Sequence, residues 1–416
     1  MSTTMAESPF LNQDLLACRP HPSKKISDAI AGDPTIVNLT VGEPGYGPPA
    51  VVLDRLVARL GERTEDPSPS YDRYTHSRGL PALRQAIAGY YRRRYDLEVD
   101  PDSEVLVTNG GAGALWLTVF TLTNPGDEVV IPDPCYMLFE PIVKVLGRRP
   151  VRIATRPERR FRLDPADFEA HLSERTKLLM LNSPENPTGT VYDRSTLEEL
   201  LGIVEDRGIH LMHDEVFDSL FFEGEHVPAR LLEPETRRTI LVNSFSKRFG
   251  MTGWRIGWML AHPDIVDAAT KAHTFQCLAG GTLVQEGAAA GLADPTTDTL
   301  VARHCSELQA KSLRFLEKLT AIDGFDLPAG PPRGGFYAFV DVRSLYQRLL
   351  AIGEEPGPES EVVARYLLEH AKVGVVPGNG FGAGGEGFVR ISYAAPEAHL
   401  DDAVKRLRSL RQRLGS

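Results

Sequence analysis

The chain has 416 residues, which is too long for one small hydrophobic core and is typical of two or three domains. Hydrophobic residues make up 42% and charged residues 25%, as in soluble globular proteins, and the net charge of −10 without a basic block argues against nucleic-acid binding. Cys18, Cys135, Cys277 and Cys305 lie far apart without a C-x-x-C pair, so we expect free thiols rather than disulfides or a zinc site.

The first ten residues lack the basic and apolar regions of a signal peptide, and no apolar run is long enough to cross a bilayer. We therefore expect a cytoplasmic protein. Residues 1–46 are predicted to form an N-terminal arm with a short helical piece, interrupted by Pro20 and Pro22, and a short strand over 37–41.

The middle of the chain carries alternating strand and helix patterns. Helices are predicted over 51–60 and 80–91, with a polar linker at 65–71 between them. The next predicted strands are 105–108, 128–132, 150–154, 177–182, 209–213, 239–243 and 256–260. The predicted helices between and after them are 112–122, 136–147, 165–172, 195–207 and 264–275. This order indicates an α/β fold, with a large domain at 47–290 built on a mostly parallel sheet covered by helices on both faces.

The pattern changes after residue 288. A long helix with charged faces is predicted over 300–319, and it links the large domain to a smaller C-terminal α+β domain at 291–416. Its predicted strands lie near 336–341, 373–376 and 387–393, and its predicted helices are 359–370 and 397–413. Part of the N-terminal arm is expected to join this small domain.

The segment V-N-S-F-S-K-R-F-G-M-T-G-W-R-I-G-W, residues 242–258, combines features that suit a phosphorylated ligand. Ser244 and Ser246 offer hydroxyl donors, and Arg255 offers a planar fork of donors for a phosphate. Between them Lys247 carries an amine that is able to form a Schiff base with an aldehyde. The alternative is a surface loop with an ordinary solvated lysine.

The segment N-G-G-A-G-A-L follows a predicted strand and opens a helix. Gly110 and Gly111 allow a ligand to approach the backbone, and the free N–H groups of a helix start, Ala112 among them, suit an anion. The alternative is a tight turn without a ligand. The run at 377–385, P-G-N-G-F-G-A-G-G, leads into a strand rather than a helix, so we interpret it as a flexible turn and not as a nucleotide loop.

Asp214 lies at the C-terminal end of a predicted buried strand, where open α/β sheets bind ligands. The alternative is a turn-initiating aspartate. His210 and His213 are close in sequence but point to opposite faces of a strand, which argues against a metal site. We expect His213 to support Asp214 instead.

Seven segments in order resemble motifs of one family. They are N-L-T-V-G-E-P-G-Y, Y-T-H-S-R-G-L-P-A-L-R, V-T-N-G-G-A-G-A-L, N-S-P-E-N-P-T-G, H-D-E-V-F, S-F-S-K with G-W-R-I-G, and V-R-I-S-Y-A. On these segments, from about residue 20 to the C-terminus, the chain resembles the class I/II aminotransferases of the aspartate aminotransferase superfamily, which use pyridoxal 5′-phosphate. The resemblance implies an enzyme that exchanges an amino group between an L-amino acid and a 2-oxo acid by a ping-pong mechanism.

The resemblance also implies a role for individual residues around the cofactor. Lys247 is the catalytic lysine that holds pyridoxal phosphate as a Schiff base and moves the α-proton, and Asp214 faces the pyridine nitrogen. Asn186 donates to the phenolic oxygen, although Asn-Pro-x-Gly also makes turns unaided, and Tyr136 stacks on the ring, although an aromatic there is otherwise core. The implied phosphate ligands are Gly110, Gly111, Ala112, Ser244, Ser246 and Arg255.

Two further implications concern the substrate and the assembly. Arg390, with Gly42 and Asn186 nearby, is expected to bind the substrate carboxylate, because a guanidinium matches a carboxylate with two hydrogen bonds. Tyr74 is expected to reach the cofactor phosphate of a neighbouring subunit, which requires a homodimer. The substrate side chain would meet residues around Tyr46, the arm near 18–25 and the neighbour's 74–78 loop.

One residue departs from the family pattern. Phe217 stands where the family has a tyrosine three residues after the aspartate, a tyrosine whose hydroxyl helps to hold the cofactor's phenolate. Our hypothesis is that the Schiff base of this chain stays protonated over a wider pH range, which a spectroscopic titration of wild type and Phe217→Tyr would test.

The sequence leaves the reaction and the substrate partly open. Phe217 and the pair Thr75-His76 keep a β-eliminating C–S lyase, or a decarboxylating or oxidative enzyme of the same fold, as alternatives. A regulator with a DNA-binding segment is disfavoured, because the N-terminus is short and not basic. No basic residue stands out as a partner for a second carboxylate, so we expect neutral, aromatic or specialised amino acids as substrates.

Overall fold

The computed structural model describes residues 11–18, 26, 30–62, 71–233 and 237–414. The predictions for Pro20 and Pro22, for most of the linker at 65–71 and for most of the arm near 18–25 lie outside the described residues. None of the described helices is both long and apolar enough to cross a membrane.

A seven-stranded sheet forms the large unit. Its strands are β2 (Val105–Thr108), β3 (Glu128–Asp133), β4 (Arg149–Ala154), β5 (Thr176–Asn182), β6 (His210–Asp214), β7 (Thr239–Ser244) and β8 (Gly257–Leu260). In space the order is β2-β8-β7-β6-β5-β3-β4, and every neighbouring pair is parallel except those made by β8. The predicted α/β architecture with a mostly parallel sheet is therefore confirmed.

Helices cover both faces of this sheet. They are α2 (Ala50–Gly61), α3 (Pro81–Tyr95), α4 (Gly110–Leu122), α5 (Phe139–Val145), α6 (Pro165–Ala170), α7 (Arg194–Asp206), α8 (Phe245–Arg248), α9 (Pro263–Cys277) and α10 (Thr282–Ala293), after the short α1 (Gln13–Ala17) of the arm. Successive strand residues enter different cores, as Leu211 and Met212 of β6 do on opposite faces. Burial on both faces explains why the interiors of strands such as β5 and β7 are continuous apolar runs, with polar residues mainly at the strand ends.

The small unit follows the long helix α11 (Thr296–Thr320). It contains β9 (Tyr337–Asp341), α12 (Arg343–Ala351), α13 (Glu359–Tyr366), β10 (Val373–Gly374), β11 (Val376–Pro377), β12 (Phe388–Ser392) and α14 (Glu397–Arg413). Strands β11, β12 and β9 form an antiparallel sheet. The arm's short strand β1 (Val37–Asn38) pairs with β10, and Leu39 packs in the same core, so this part of the arm belongs to the small unit.

Three helices were not predicted: the one-turn α8, α10 and α12. The sequence of α10, T-L-V-Q-E-G-A-A-A-G-L-A, consists mainly of small residues and lacks the repeating large apolar side chains that indicate a helix. Small side chains are required because α10 packs closely on α2. A Cβ atom added to Gly291 would lie 2.6 Å from Val52 Cγ2 and 3.1 Å from Phe249 Cε2.

We predict opposite effects for two helical Gly→Ala substitutions. Gly202 of α7 is exposed and has open space where a Cβ atom would stand, so Gly202→Ala should stabilise the protein by about 0.5–1 kcal/mol through helix propensity. Gly291→Ala should destabilise it by about 1–3 kcal/mol, because overpacking against Val52 outweighs propensity. Thermal unfolding of both variants beside wild type measures the difference, and a stabilised Gly291→Ala would contradict this account of the α2–α10 contact.

Candidate active site

A cavity of about 350 Å³ lies where the carboxyl ends of the central strands face the small unit. It is typical in size of a small-molecule site. The residues that line it include most of those selected from the sequence: Gly42, Gly111, Ala112, Tyr136, Asn186, Asp214, Phe217, Ser244, Ser246, Lys247, Arg255 and Arg390.

Lys247 lies in the one-turn helix α8, which follows directly from β7. The Ser244 hydroxyl accepts from Ser246 N and caps this turn. Lys247 Nζ donates to the carbonyl oxygen of Gly42, and the Tyr46 hydroxyl donates to the carbonyl oxygen of Lys247. Burial, opposed in part by the carboxylate of Glu43, lowers the pKa of Lys247 to about 8. The amine is therefore neutral far more often near physiological pH than an exposed lysine.

Asp214 ends β6 and is 3% exposed. Its Oδ1 accepts from Val216 N at 3.1 Å. Burial raises the pKa of Asp214 to about 7, because among the described residues no cation pairs directly with this carboxylate. A buried carboxyl of this kind suits a ligand that brings a positively charged N–H group.

His213 was predicted to support Asp214, but no contact joins the two side chains among the described residues. His213 precedes Asp214 on β6, so its side chain lies on the opposite face of the sheet. There its Nδ1 is 3.1 Å from Glu215 Oε1, and its ring stacks on His226. The alternation of side chains along a strand, already used against a metal site, would have given the correct answer.

An anion-binding arrangement lies at the start of α4. The side chain of Asn109, which precedes this helix, does not cap it, so within the described part of the chain no capping side chain occupies the first backbone N–H groups. Gly110 has a φ of +70°, and a Cβ atom there would lie 2.3 Å from Arg255 Nη2. Only glycine therefore allows the guanidinium of Arg255 to approach this turn, as an anion shared by the two groups requires.

Arg390 is a buried cation on β12, with 2% exposure. Its Nη1 donates to Asn186 Oδ1 at 3.0 Å and its Nη2 to the carbonyl oxygen of Thr40 at 2.8 Å. Its Nε has no hydrogen-bond partner among the described residues. Burial lowers the pKa of Arg390, as expected for a cation without a carboxylate.

Aromatic rings surround this guanidinium. Its Cζ lies 4.1 Å from the ring centre of Tyr337 and 5.1 Å from that of Phe381. Such contacts stabilise a desolvated cation and fix its plane. Tyr337 and Phe381 were not selected from the sequence as contacts of Arg390, because neither residue stands in a motif that announces such a contact.

Asn186 links two parts of the site. Its backbone N donates to Asn182 Oδ1 at 2.8 Å, and Asn182 Nδ2 donates to the carbonyl oxygen of Asp214 at 2.9 Å. Asn182 was missed as a site residue, although it opens the N-S-P-E-N-P-T-G motif. Glu43, in the first motif, was missed as well; it lines the cavity, and the Thr252 hydroxyl donates to it at 3.0 Å.

Gly110 does not itself line the cavity, and neither do two further predicted residues. Tyr74 is 83% exposed on the surface of the chain. The ring of Tyr46 stacks on His304 with centres 4.1 Å apart, so Tyr46 supports the backbone of Lys247 instead of facing a ligand. Phe217 does line the cavity, with its ring edge-to-face on Phe336.

Comparison with known proteins agrees with this geometry. Residues 34–407 match the family model described as aminotransferase class I and II. The aspartate aminotransferase of Pyrococcus horikoshii is 31% identical, covering 89% of this chain and 90% of its own. The aromatic-amino-acid aminotransferase 2 of Thermococcus litoralis is 28% identical, covering 95% and 97%.

Solved structures extend the comparison to the fold. The structure of aspartate aminotransferase from Thermus thermophilus with maleate superposes with a TM-score of 0.87 at 30% identity, over 97% of this chain and all of that one. Nothing in these matches favours the lyase or oxidative alternatives. The chain belongs to the aminotransferase class I and II family and is an aminotransferase.

Proposed function

We propose that Lys247 carries the reaction of this aminotransferase at a bound pyridoxal 5′-phosphate, in a ping-pong exchange between an L-amino acid and a 2-oxo acid. One observation carries the proposal. The amine of Lys247, the carboxylate of Asp214, the start of α4 and the guanidinium of Arg390 all border a single cavity. These are an amine, an acid and two anion receptors, which together match a phosphorylated pyridine aldehyde and a carboxylate substrate.

The residues present fit that cofactor. The close approach of Gly110 and Arg255 leaves room and donors for a phosphate, which Gly111, Ala112, Ser244 and Ser246 would also contact. Asp214 would hold a proton on the pyridine nitrogen, Tyr136 would cover the ring and Asn186 would donate to its phenolic oxygen. When bound, pyridoxal phosphate supplies the aldehyde carbon and the electron-withdrawing ring.

Lys247 would move the proton of the substrate. Its lowered pKa means that at neutral pH the amine is able both to accept a proton from the α-carbon and to return one. Arg390 would bind the α-carboxylate, for which its unpaired Nε and buried position are prepared. Gly42, which is also expected to lie near the substrate carboxylate, accepts a hydrogen bond from Lys247 Nζ through its carbonyl oxygen. A substrate held by Arg390 would therefore have its α-carbon close to the amine of Lys247.

We further propose a homodimer. Tyr74, Phe275 and Leu278 are exposed by 83%, 88% and 50%. They lie in one region, because the Thr282 hydroxyl donates to the carbonyl oxygen of Arg73. An apolar surface of this kind indicates a protein partner. A second copy of the chain would bring Tyr74 to the phosphate of its neighbour.

The charges of the cavity support a substrate class. Among the described residues, its cations are Lys247, Arg255 and Arg390, and each already has a role. Apart from Asp214, which is assigned to the cofactor ring, its remaining charged side chain is the carboxylate of Glu43, which would repel a second carboxylate. The matched relatives include an aspartate aminotransferase and an aromatic-amino-acid aminotransferase, so their names do not identify the substrate class of this chain. We propose that the preferred amino donor has a neutral side chain.

Our first prediction here concerns Lys247. Lys247→Ala should lower turnover roughly a thousandfold and abolish both the absorbance of lysine-bound cofactor and borohydride labelling at residue 247. In cofactor-free wild type, borohydride-trapped labelling of Lys247 by pyridoxal phosphate should rise as the pH passes through about 8, because only the neutral amine reacts. An ordinary exposed lysine would require a pH of about 10.4.

Lys271→Ala is the matched control, since Lys271 is an exposed lysine of α9. It should keep the absorbance, the labelling and the turnover of wild type. A Lys247→Ala variant that keeps them would contradict the assignment, and labelling of Lys247 that rises only near pH 10 would contradict the pKa argument.

The second prediction concerns substrate choice. In a panel of amino acids with one common 2-oxo acid, kcat/KM for neutral aliphatic or aromatic donors should exceed that for aspartate by about tenfold or more. Glu43→Gln should raise the ratio of kcat/KM for aspartate to kcat/KM for neutral donors, because the accompanying change in the pKa of Lys247 affects all donors alike. Product identification and kcat/KM for each donor measure this. Aspartate as the best donor of wild type would overturn the substrate class without touching the role of Lys247.

The third prediction concerns the dimer. A mixture of Tyr74→Ala and Lys247→Ala proteins should regain activity, because a hybrid dimer contains one site free of both changes. After subunit exchange we expect about a quarter of wild-type turnover, from statistical mixing of the two kinds of subunit. Activity no greater than that of the two separate variants would contradict a shared site.

A further inference from the structure

The glycine-rich loop of the small unit, residues 378–385, rests on the large unit at the carboxyl end of β3. We call these residues the glycine loop. It consists of two short 3₁₀ turns, Gly378–Phe381 and Ala383–Gly385, before β12 begins. The sequence suggested a flexible turn, but specific hydrogen bonds tie its backbone to another part of the chain.

Two side chains of the large unit make this contact, together with the backbone N of Cys135, which donates to the carbonyl oxygen of Phe381 at 3.1 Å. Arg152 of β4 forms a fork with Asp133 at the end of β3, with Nε–Oδ2 and Nη2–Oδ1 both 3.0 Å. The same Nη2 donates to the carbonyl oxygen of Phe381 at 2.8 Å, and Gly384 N donates to Asp133 Oδ1 at 2.9 Å. Glu140 of α5 binds the remaining end of the guanidinium. The pair therefore offers one donor and one acceptor to the loop.

The loop has glycine where it touches the pair. A Cβ atom on Gly382, whose φ is +132°, would lie 1.6 Å from Arg152 Nη2 and 2.1 Å from Asp133 Oδ1. A Cβ atom on Gly384 would lie 2.6 Å from the carbonyl oxygen of Asp133. Side chains at these two positions would push the loop away from β3, so only glycine allows the loop backbone to contact Asp133 and Arg152 this closely.

The loop does not need the pair to hold its own shape. On its other side, the Ser360 hydroxyl donates to the carbonyl oxygen of Gly385 at 3.3 Å and accepts from Gly387 N at 3.0 Å. Asn379 Nδ2 donates to Glu361 Oε1 at 3.0 Å. These partners belong to the small unit. The hydrogen bonds from Asp133, Arg152 and the backbone N of Cys135 therefore set the position of the loop against the large unit, and Asp133 and Arg152 supply the side chains among them.

The docked loop supplies one of the two aromatic rings that contact the guanidinium of Arg390. Phe381 is 1% exposed, and its ring centre lies 5.1 Å from the guanidinium carbon of Arg390. Tyr337 covers Arg390 at 4.1 Å. A shift of the loop would therefore change one of the two aromatic contacts of Arg390.

We propose that Asp133 and Arg152 are positioning residues for carboxylate recognition. They latch the glycine loop to the large unit, and through Phe381 they hold the guanidinium of Arg390 in the plane that receives the substrate. This inference rests on the proposed function, in which Arg390 binds the α-carboxylate. It adds two residues that touch neither the substrate nor the cofactor.

The test uses full-length protein loaded with pyridoxal phosphate and the probe 3-phenylpropanoate, a carboxylate without an amino group. Arg152→Gln should weaken the binding of the probe about tenfold by calorimetry and raise KM for the amino acid similarly. Its kcat and cofactor absorbance should stay within about twofold of wild type, as expected when only ground-state positioning is lost. A merely structural role would lower kcat and cofactor absorbance as well.

Arg149→Gln is the matched control, because Arg149 lies on the same strand, is 63% exposed and does not touch the loop. It should bind the probe as wild type does. Phe381→Leu should weaken binding about as much as Arg152→Gln does. The double variant should be no weaker than either single variant, because both changes interrupt one path.

Each outcome decides the proposal. Wild-type affinity in Arg152→Gln, or independent effects that multiply in the double variant, would overturn it. If Arg152→Gln does not fold, Arg152→Lys, which keeps the charge without the fork, must show the same weakened binding. Arg390→Gln separates the two levels. If it binds the probe normally, the proposed function fails together with the latch; if it loses the probe while Arg152→Gln keeps it, the latch alone fails.

Discussion

The buried guanidinium of Arg390 makes hydrogen bonds that join the small unit to the large unit and to the arm. A desolvated cation without a carboxylate costs several kcal/mol, and the chain offsets that cost with neutral acceptors and two aromatic faces. The acceptors come from separate parts of the chain, Asn186 from the large unit and Thr40 from the arm. The position of this one side chain therefore fixes how three segments meet.

The same principle applies to the rest of the cavity. The pKa of Lys247 falls to about 8 and that of Asp214 rises to about 7, mainly because both groups are buried. Both shifts favour the neutral form, because no opposite charge pairs directly with either group among the described residues. Such a site suits a ligand that carries an aldehyde for Lys247, a basic ring nitrogen for Asp214 and an anion for Arg255. Each part of that ligand would give one of these groups a direct partner.

The sequence predicted local structure better than contacts. The seven strands were placed within one or two residues, because strands buried on both faces give short, continuous apolar runs. Asp214 was found from the rule that ligands bind beyond the carboxyl ends of parallel strands. Helix α10 was missed because its interior requires small residues. The contact between Arg390 and Asn186 joins positions 204 residues apart, and no local pattern indicates it.

Buried charged groups lie on both faces of the sheet at the end of β6. Along β6 and just beyond it, Asp214 faces the cavity, whereas His213 and Glu215 meet His226 in the opposite core. The two histidines hold the pKa of Glu215 near 2 against the effect of its burial, so this carboxylate keeps its charge. That charge contributes to the raised pKa of its neighbour Asp214. The charge of Glu215 on one face of the sheet therefore favours a proton on Asp214 at the other face, where Asp214 would share it with a nitrogen of the ligand.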